Sequence, residues 1–253
     1  LIYAPLTGND FLKKLMTPIP PSAVLFMLQS GYASDLVLPL AVNSINGVSN
    51  ESRRGMSRAA DPDFPRVVQL LRELQLADAV QIRIERPKGD TETTILVFPP
   101  SENPQVAARS AEIGRILRVK PGVRELGVYY GGYSGKGDEI SMLTRSMLQI
   151  MLELGAIVRV PAADVASGKA APGAVEIQPG ESPATQAPAL LNILSGETPP
   201  RDAHVAVPYR GRWFWIANTD IRSKYTFGSV MLLFSISDTG VRGSAPVVTV
   251  PAN

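Results

Sequence analysis

Apolar positions in this chain recur with two different periods, and the changes of period mark its elements. From Asp63, the residues Phe64, Val67, Val68, Leu71 and Leu74 fall three or four apart with Arg72 and Glu73 off the stripe, which predicts an amphipathic helix. Val80 to Glu85 and Thr91 to Phe98 alternate with period two on either side of Lys88-Gly89-Asp90, which predicts a β-hairpin. Asn103-Pro104 then opens a helix through Val106, Ile113 and Leu117, and Val123 to Tyr130 reads as a strand. A glycine-rich connection, Gly131 to Asp138, leads to a strand from Glu139 to Leu143. The stretch Thr144 to Leu154 is apolar nearly all round, which predicts a helix that is buried rather than half exposed.

Before residue 60 the pattern is broken into short pieces by helix stops. Asn9-Asp10 caps Phe11 to Met16, Pro20-Pro21-Ser22 opens Ala23 to Gln29, and Ser34-Asp35 opens Leu36 to Asn43, giving three short helices. Asn46 to Asp61 has little apolar content and reads as an exposed loop carrying Arg53, Arg54 and Arg58. Residues 161–202 are rich in Pro, Gly, Ala and Ser, with Val175 to Gln178 strand-like and Ala187 to Leu194 helix-like. So long an excursion in a compact domain is either functional or mobile. Beyond it, aromatic and β-branched residues flank Arg210-Gly211 and predict a second hairpin. A helix from about Thr219 to Ser235 and a strand from Pro246 to Val250 follow.

These elements predict an α+β fold: short N-terminal helices, then mixed or antiparallel hairpins packed on buried helices. The segments are 1–60, helical with an exposed loop; 61–160, an α+β unit; 161–202, the excursion; and 203–253, the Trp hairpin with its helix and last strand, expected to join 61–160 in one compact domain. An internal echo also runs through the chain. Glu139 to Leu143, Arg145-Ser146, an apolar helix and Ile157 to Ala162 are matched by Trp213 to Ile216, Arg222-Ser223, an apolar helix and Val247 to Ala252. If that is a duplicated strand-helix-strand element rather than chance, the two helices should lie side by side under one sheet.

Composition narrows the function classes. The 253 residues carry 25 Lys+Arg against 23 Asp+Glu, a formal charge of +2 and too near balance for a dedicated nucleic-acid binder. No run approaches the roughly 18 apolar residues of a spanning helix. Cysteine is absent, which removes disulfides, thiolate nucleophiles and Cys-type zinc sites. The single histidine, His204, sits in a strand-like run and reads as a surface or edge side chain rather than part of a Ser-His-Asp arrangement. With one His and no Cys, no metal or cofactor is assigned. Gly135-Lys136 resembles the end of a phosphate-binding loop, but Tyr130 stands where its first glycine belongs and Gly137 where its Ser or Thr belongs. The acids Asp138, Glu139, Glu153 and Asp220 are offered as candidates for a carboxylate pair, whose partners only the fold would join. Asp220, at a predicted helix start, reads as a cap.

The densest mixture of aromatics and cations runs from Tyr209 through Arg210, Arg212, Trp213, Phe214 and Trp215 to Arg222 and Lys224, and it holds both tryptophans of the chain. Trp213 and Trp215 are two apart on one strand and share a face, with Phe214 opposite. If the Trp face is open, it is a platform for a sugar, peptide or partner protein, flanked by Arg210 and Arg212. If it is covered, the pair is core, the reading favoured by the following apolar helix, which needs a sheet face to pack on.

The phrases Ile2 to Leu12, Ile45-Asn46-Gly47, Thr144 to Leu148, Pro208 to Ile216 and Asp220 to Phe227 resemble a family of bacterial envelope proteins with no assigned activity, many of which carry lipoprotein-type signal sequences. The resemblance implies a periplasmic or outer-membrane-associated location. It also implies a chain that begins, at Leu1, downstream of a missing segment, with any lipid-anchor cysteine upstream. The function expected from residues and resemblance together is a non-enzymatic envelope interaction or assembly protein. It would contact another envelope protein, or itself, through Tyr209, Arg210, Arg212, Trp213, Trp215, Arg222 and Lys224 and the long excursion. Alternatives are a saccharide- or small-anion-binding domain on the same surface and a carboxylate-dependent hydrolase.

Overall fold

The computed structural model describes residues 9–50, 61–85, 93–156, 158, 160, 162–170 and 190–239. The arginines Arg53, Arg54 and Arg58, the turn at Lys88 to Asp90, the strand-like Val175 to Gln178, and the final strand from Pro246 lie outside the described residues.

The fold is α+β, with a six-stranded mixed sheet, a three-stranded antiparallel sheet and eight helices among the described residues. Helices α1 (Asn9–Met16), α2 (Pro21–Gln29) and α3 (Ser34–Ala41) come first. They are followed by a small hairpin, β1 (Val42–Ile45) and β2 (Val48–Ser49), where the sequence pattern predicts the end of a helix and an exposed loop. The cause is the turn at Asn46 and Gly47, whose φ angles of 46° and 82° form the two-residue type I′ connection favoured by an Asn-Gly pair. Asn46 is fully buried. Its Nδ2 donates to Leu117 O at 2.8 Å and Glu139 O at 3.3 Å, and its Oδ1 accepts from Ser141 N at 2.7 Å.

The central unit follows the sequence periods closely. Helix α4 (Asp63–Leu76) buries Phe64, Val67, Val68, Leu70, Leu71 and Leu74, strands β3 (Gln81–Glu85) and β4 (Thr93–Val97) pair antiparallel, and α5 (Pro104–Ile116) starts where Asn103 Oδ1 accepts from Gln105 N. Strands β5 (Glu125–Tyr130) and β6 (Glu139–Thr144) pair in parallel although only residues 131–138 join them. Parallel neighbours ordinarily need a dozen or more connecting residues. Gly131, Gly135 and Gly137 all have positive φ in this crossover, at 151°, 81° and 75°, and Lys120 N donates to Gly137 O at 2.7 Å to pin it. The sheet order is β2-β1-β6-β5-β4-β3. One face, carrying Leu96, Leu126, Val128, Ile140 and Met142, is buried in a single core with α2 to α5; the other, with Arg83, Glu125 and Tyr129, is exposed.

Helix α6 (Met147–Ala156) is not buried all round: Met147 and Ile150 are, but Met151 and Leu152 are each 40% exposed. After the short α7 (Ala162–Ala166), residues 190–193 are not helical, and β7 (Leu194–Gly196) stands where a helix end was expected. β7, β8 (Ala203–Tyr209) and β9 (Arg212–Ala217) form the second sheet in the order β7-β9-β8, and α8 (Ile221–Thr239) follows. The two strands of the echo, β6 and β9, therefore belong to different sheets, so the expected shared sheet does not exist, although α6 and α8 do touch. The two Arg-Ser pairs nevertheless share a target, because both arginines dock on α3. Arg145, itself buried, donates from Nη1 to Pro39 O at 2.6 Å and Leu40 O at 3.0 Å at the helix C-terminus, where a cation opposes the negative end of the dipole. Arg222 reaches Asp35 in its first turn at 3.5 Å, alongside Arg72 at 3.6 Å.

Candidate functional site

The hairpin predicted around Arg210-Gly211 is present, with φ of 50° and 78° at those two residues and the β8–β9 register Val205↔Ile216, Val207↔Phe214 and Tyr209↔Arg212. Alternation along β9 puts Arg212, Phe214 and Ile216 on one face and Trp213 and Trp215 on the other. Ile216 is buried with Leu191 in a small second core, joined by Val205, Leu154 of α6 and Phe227 of α8. The apolar helix after the hairpin thus covers the Phe214/Ile216 face, which corrects the expectation that it covers the tryptophans. Both Trp213 and Trp215 remain half-buried on the opposite face. There the Trp215 ring lies over β7, and a Cβ at Gly196 would come within 3.1 Å of its Cη2.

The covered face does not close completely. A groove of about 1210 Å³ runs between it and α6, walled by Met151, Leu154, Val158, Val160, Val207 and Phe214, with Phe227 and Val230 of α8 behind. Helix α7 and the residues after it approach the hairpin at one end of the groove. There Asp164 meets Arg212 at 3.3 Å, and Arg212 also reaches Glu197 at 3.9 Å. Lys169 and Arg210 line the same end without an ion pair among the described residues, Arg210 lying 5.4 Å above the Tyr209 ring. Val207 and Tyr209 are 53% and 60% exposed. The arrangement is an apolar trough with an aromatic, cationic end.

Of the seven residues expected to form a binding surface, Tyr209, Arg210, Arg212 and Trp215 line this groove; Trp213, Arg222 and Lys224 do not. Arg222 is held by Asp35, and Lys224 Nζ donates to the Asn218 carbonyl at 3.2 Å and to its side chain at 3.1 Å, closing the turn before α8. Sequence reasoning missed Met151, Val158, Val160 and Lys169. The one hint was the apolar excess of α6, whose outward positions have no reason to be apolar unless something covers them.

The candidate carboxylates stand on different elements, Asp138 and Glu139 at the start of β6, Glu153 on α6 and Asp220 just before α8. Asp220 caps α8, its Oδ1 accepting from Ser223 N at 3.0 Å and its Oδ2 from Ser223 Oγ at 2.7 Å. Burial pushes its pKa up, but the hydrogen bonds from Ser223 and Asn192 and the nearby Arg222 charge more than offset this and leave it below the usual carboxylate value. Hydrogen bonds from Ser134 and Lys136 hold Glu139 below its ordinary pKa. Neither of these acids, nor Asp138 or Glu153, lines a described cavity. His204 is exposed and stacks edge-on against Phe227, ring centroids 6.1 Å apart. Among the described residues no helix is long and apolar enough to cross a membrane.

The fold and groove define a class, an α+β chain with an open, largely apolar groove. Compared with known protein families, with curated proteins and with solved structures, the chain matches none.

Proposed function

We propose that this chain is a cell-envelope interaction or assembly protein that seats an apolar, acid-bearing segment of another envelope protein in the groove between α6 and the β8–β9 hairpin. The observation that carries the reading is the pairing of an open apolar trough with two cations, Arg210 and Lys169, that have no acidic partner among the described residues. Apolar side chains at Met151, Val207 and Tyr209 stay exposed on a surface where burial by a partner would remove them from water. The envelope location rests on the sequence resemblance. Self-association would use the same surface.

The test is a photo-crosslinking residue placed at Val207 in the full chain within its native membrane, followed by binding of the purified partner. Saturable binding lost with Val207→Asp and with Arg210→Glu, and retained with Tyr129→Ser on the distant sheet face, supports the reading. Binding indifferent to both groove substitutions sinks it. A saccharide or small anion, the second reading favoured by the same unpaired cations, would be lost with Arg210→Glu but not with Val207→Asp.

A further inference from the structure

A second cavity, of about 270 Å³, lies within the main core between α2, α4 and the six-stranded sheet, away from the groove. Its deep wall is formed by core side chains such as Leu38, Leu96, Val128, Ile140 and Met142. Protein interiors pack to crystal-like density with few voids larger than a water molecule, so an apolar space of this size in an otherwise closed core calls for an occupant. A cavity of about 150 Å³ lined by similar residues is dry and takes benzene.

The cavity reaches the surface. Gln29, Gly31, Asp78 and Gln81 line it and are exposed, which puts its mouth between the C-terminal ends of α2 and α4 and the start of β3. The polar groups gather at that end. Ser34, whose N–H donates to Gln75 Oε1 at 3.2 Å, is 1% exposed and has a buried hydroxyl with no hydrogen-bond partner. Buried hydroxyls are ordinarily satisfied. The Gln75 amide is already committed to Leu28 O and Tyr32 O, both at 2.8 Å. Asp78 is the single charged residue among the described lining.

We propose that this cavity binds a slender amphiphile whose aliphatic tail fills the core space and whose cationic or uncharged head sits at the mouth by Asp78 and Ser34. At about 30 Å³ for each group the size of a water or methylene, the tail has room for roughly eight or nine carbons. Asp78 at the mouth attracts an ammonium head and repels a carboxylate.

The full chain is titrated with octylamine, 1-octanol and octanoate by calorimetry, with heteronuclear NMR locating the shifts. Saturable one-to-one binding is expected, with octylamine at least about fivefold tighter than octanoate. Leu71→Phe, which fills the cavity from α4, abolishes binding while the circular dichroism spectrum is kept. Asp78→Asn, at an exposed position, keeps binding of 1-octanol but removes the preference for the amine, and it decides the question even where Leu71→Phe fails to fold. Absence of saturable binding by all three probes, binding that survives in folded Leu71→Phe, or octanoate binding as tightly as octylamine overturns the proposal.

Discussion

Asn46 and Ser141 hold each other by two hydrogen bonds, Asn46 N to Ser141 O at 2.8 Å and Ser141 N to Asn46 Oδ1 at 2.7 Å. The same side chain serves Leu117 O and Glu139 O, so one buried amide ties the β1–β2 turn to the end of α5 and the start of β6. Asn46→Ala strands those partners and leaves a Cβ residue at φ 46°. The expected loss is about 3–5 kcal/mol, read from urea denaturation. Asn46→Gly, free of the backbone strain, should cost about 1 kcal/mol less.

Acid should loosen the α4–α5 packing. Glu112 is held below its ordinary pKa first by the Arg66 hydrogen bonds, at 2.7 Å each, and Glu73 first by its hydrogen bond from Arg109. A carboxylate with a folded pKa below its unfolded value contributes stability above the ordinary value and loses it as pH falls toward the folded one. Urea midpoints should therefore fall between about pH 5 and about pH 3, and the Glu73→Gln/Glu112→Gln double variant should show a shallower slope over that window.

Two helices end in a left-handed residue that is not glycine. Asp78 follows α4 at φ 51° and Arg118 follows α5 at φ 56°, each with the carbonyl bonding of a Schellman turn. Asp78→Gly should raise stability by about 0.5–1 kcal/mol. Arg118→Gly should gain less, because the Arg118 guanidinium lies 5.3 Å over the Tyr133 ring and that contact is lost. Thermal unfolding of the two variants checks the difference.

Gly196→Val should displace the Trp215 ring from β7 while the Phe214 and Ile216 wall of the groove is kept. In a Trp213→Phe background the emission of Trp215 should shift to longer wavelength and its quenching by acrylamide should rise, while octylamine binding is unchanged. Unaltered emission would show that the ring does not lie over Gly196.

Where one element carries its own period, the sequence was enough to read it. The stripe from Phe64 to Leu74, the alternation of Gln81 to Glu85, and Arg210-Gly211 between strands each state a local geometry in adjacent residues. Val42 to Ile45 is illegible because four residues are too few for a period, and the Asn46-Gly47 turn has no long alternation beside it to mark a hairpin. The parallel pairing of β5 and β6 runs against the expectation for so short a link. The groove was illegible for another reason: its walls come from α6, the residues after α7, and the hairpin, and only the fold brings Met151, Lys169 and Val207 together. Both tryptophans of the chain stand on β9, whereas the groove wall there is carried by Arg212, Phe214 and Ile216 together with Trp215.

The union of β1 with β6 also sets a clock on synthesis. Helices α1 to α3 leave the ribosome before the six-stranded sheet, yet Asn46 must wait for a partner 95 residues downstream and Thr144 Oγ1 closes on Ile19 O across 125. At about 5–20 residues per second, the part of α2 that packs on β5 and β6 waits about 5–20 s for those strands in every round of translation. A chaperone or a slow codon stretch would act in that interval, before residue 144 exists and well before Arg222 arrives to grip Asp35.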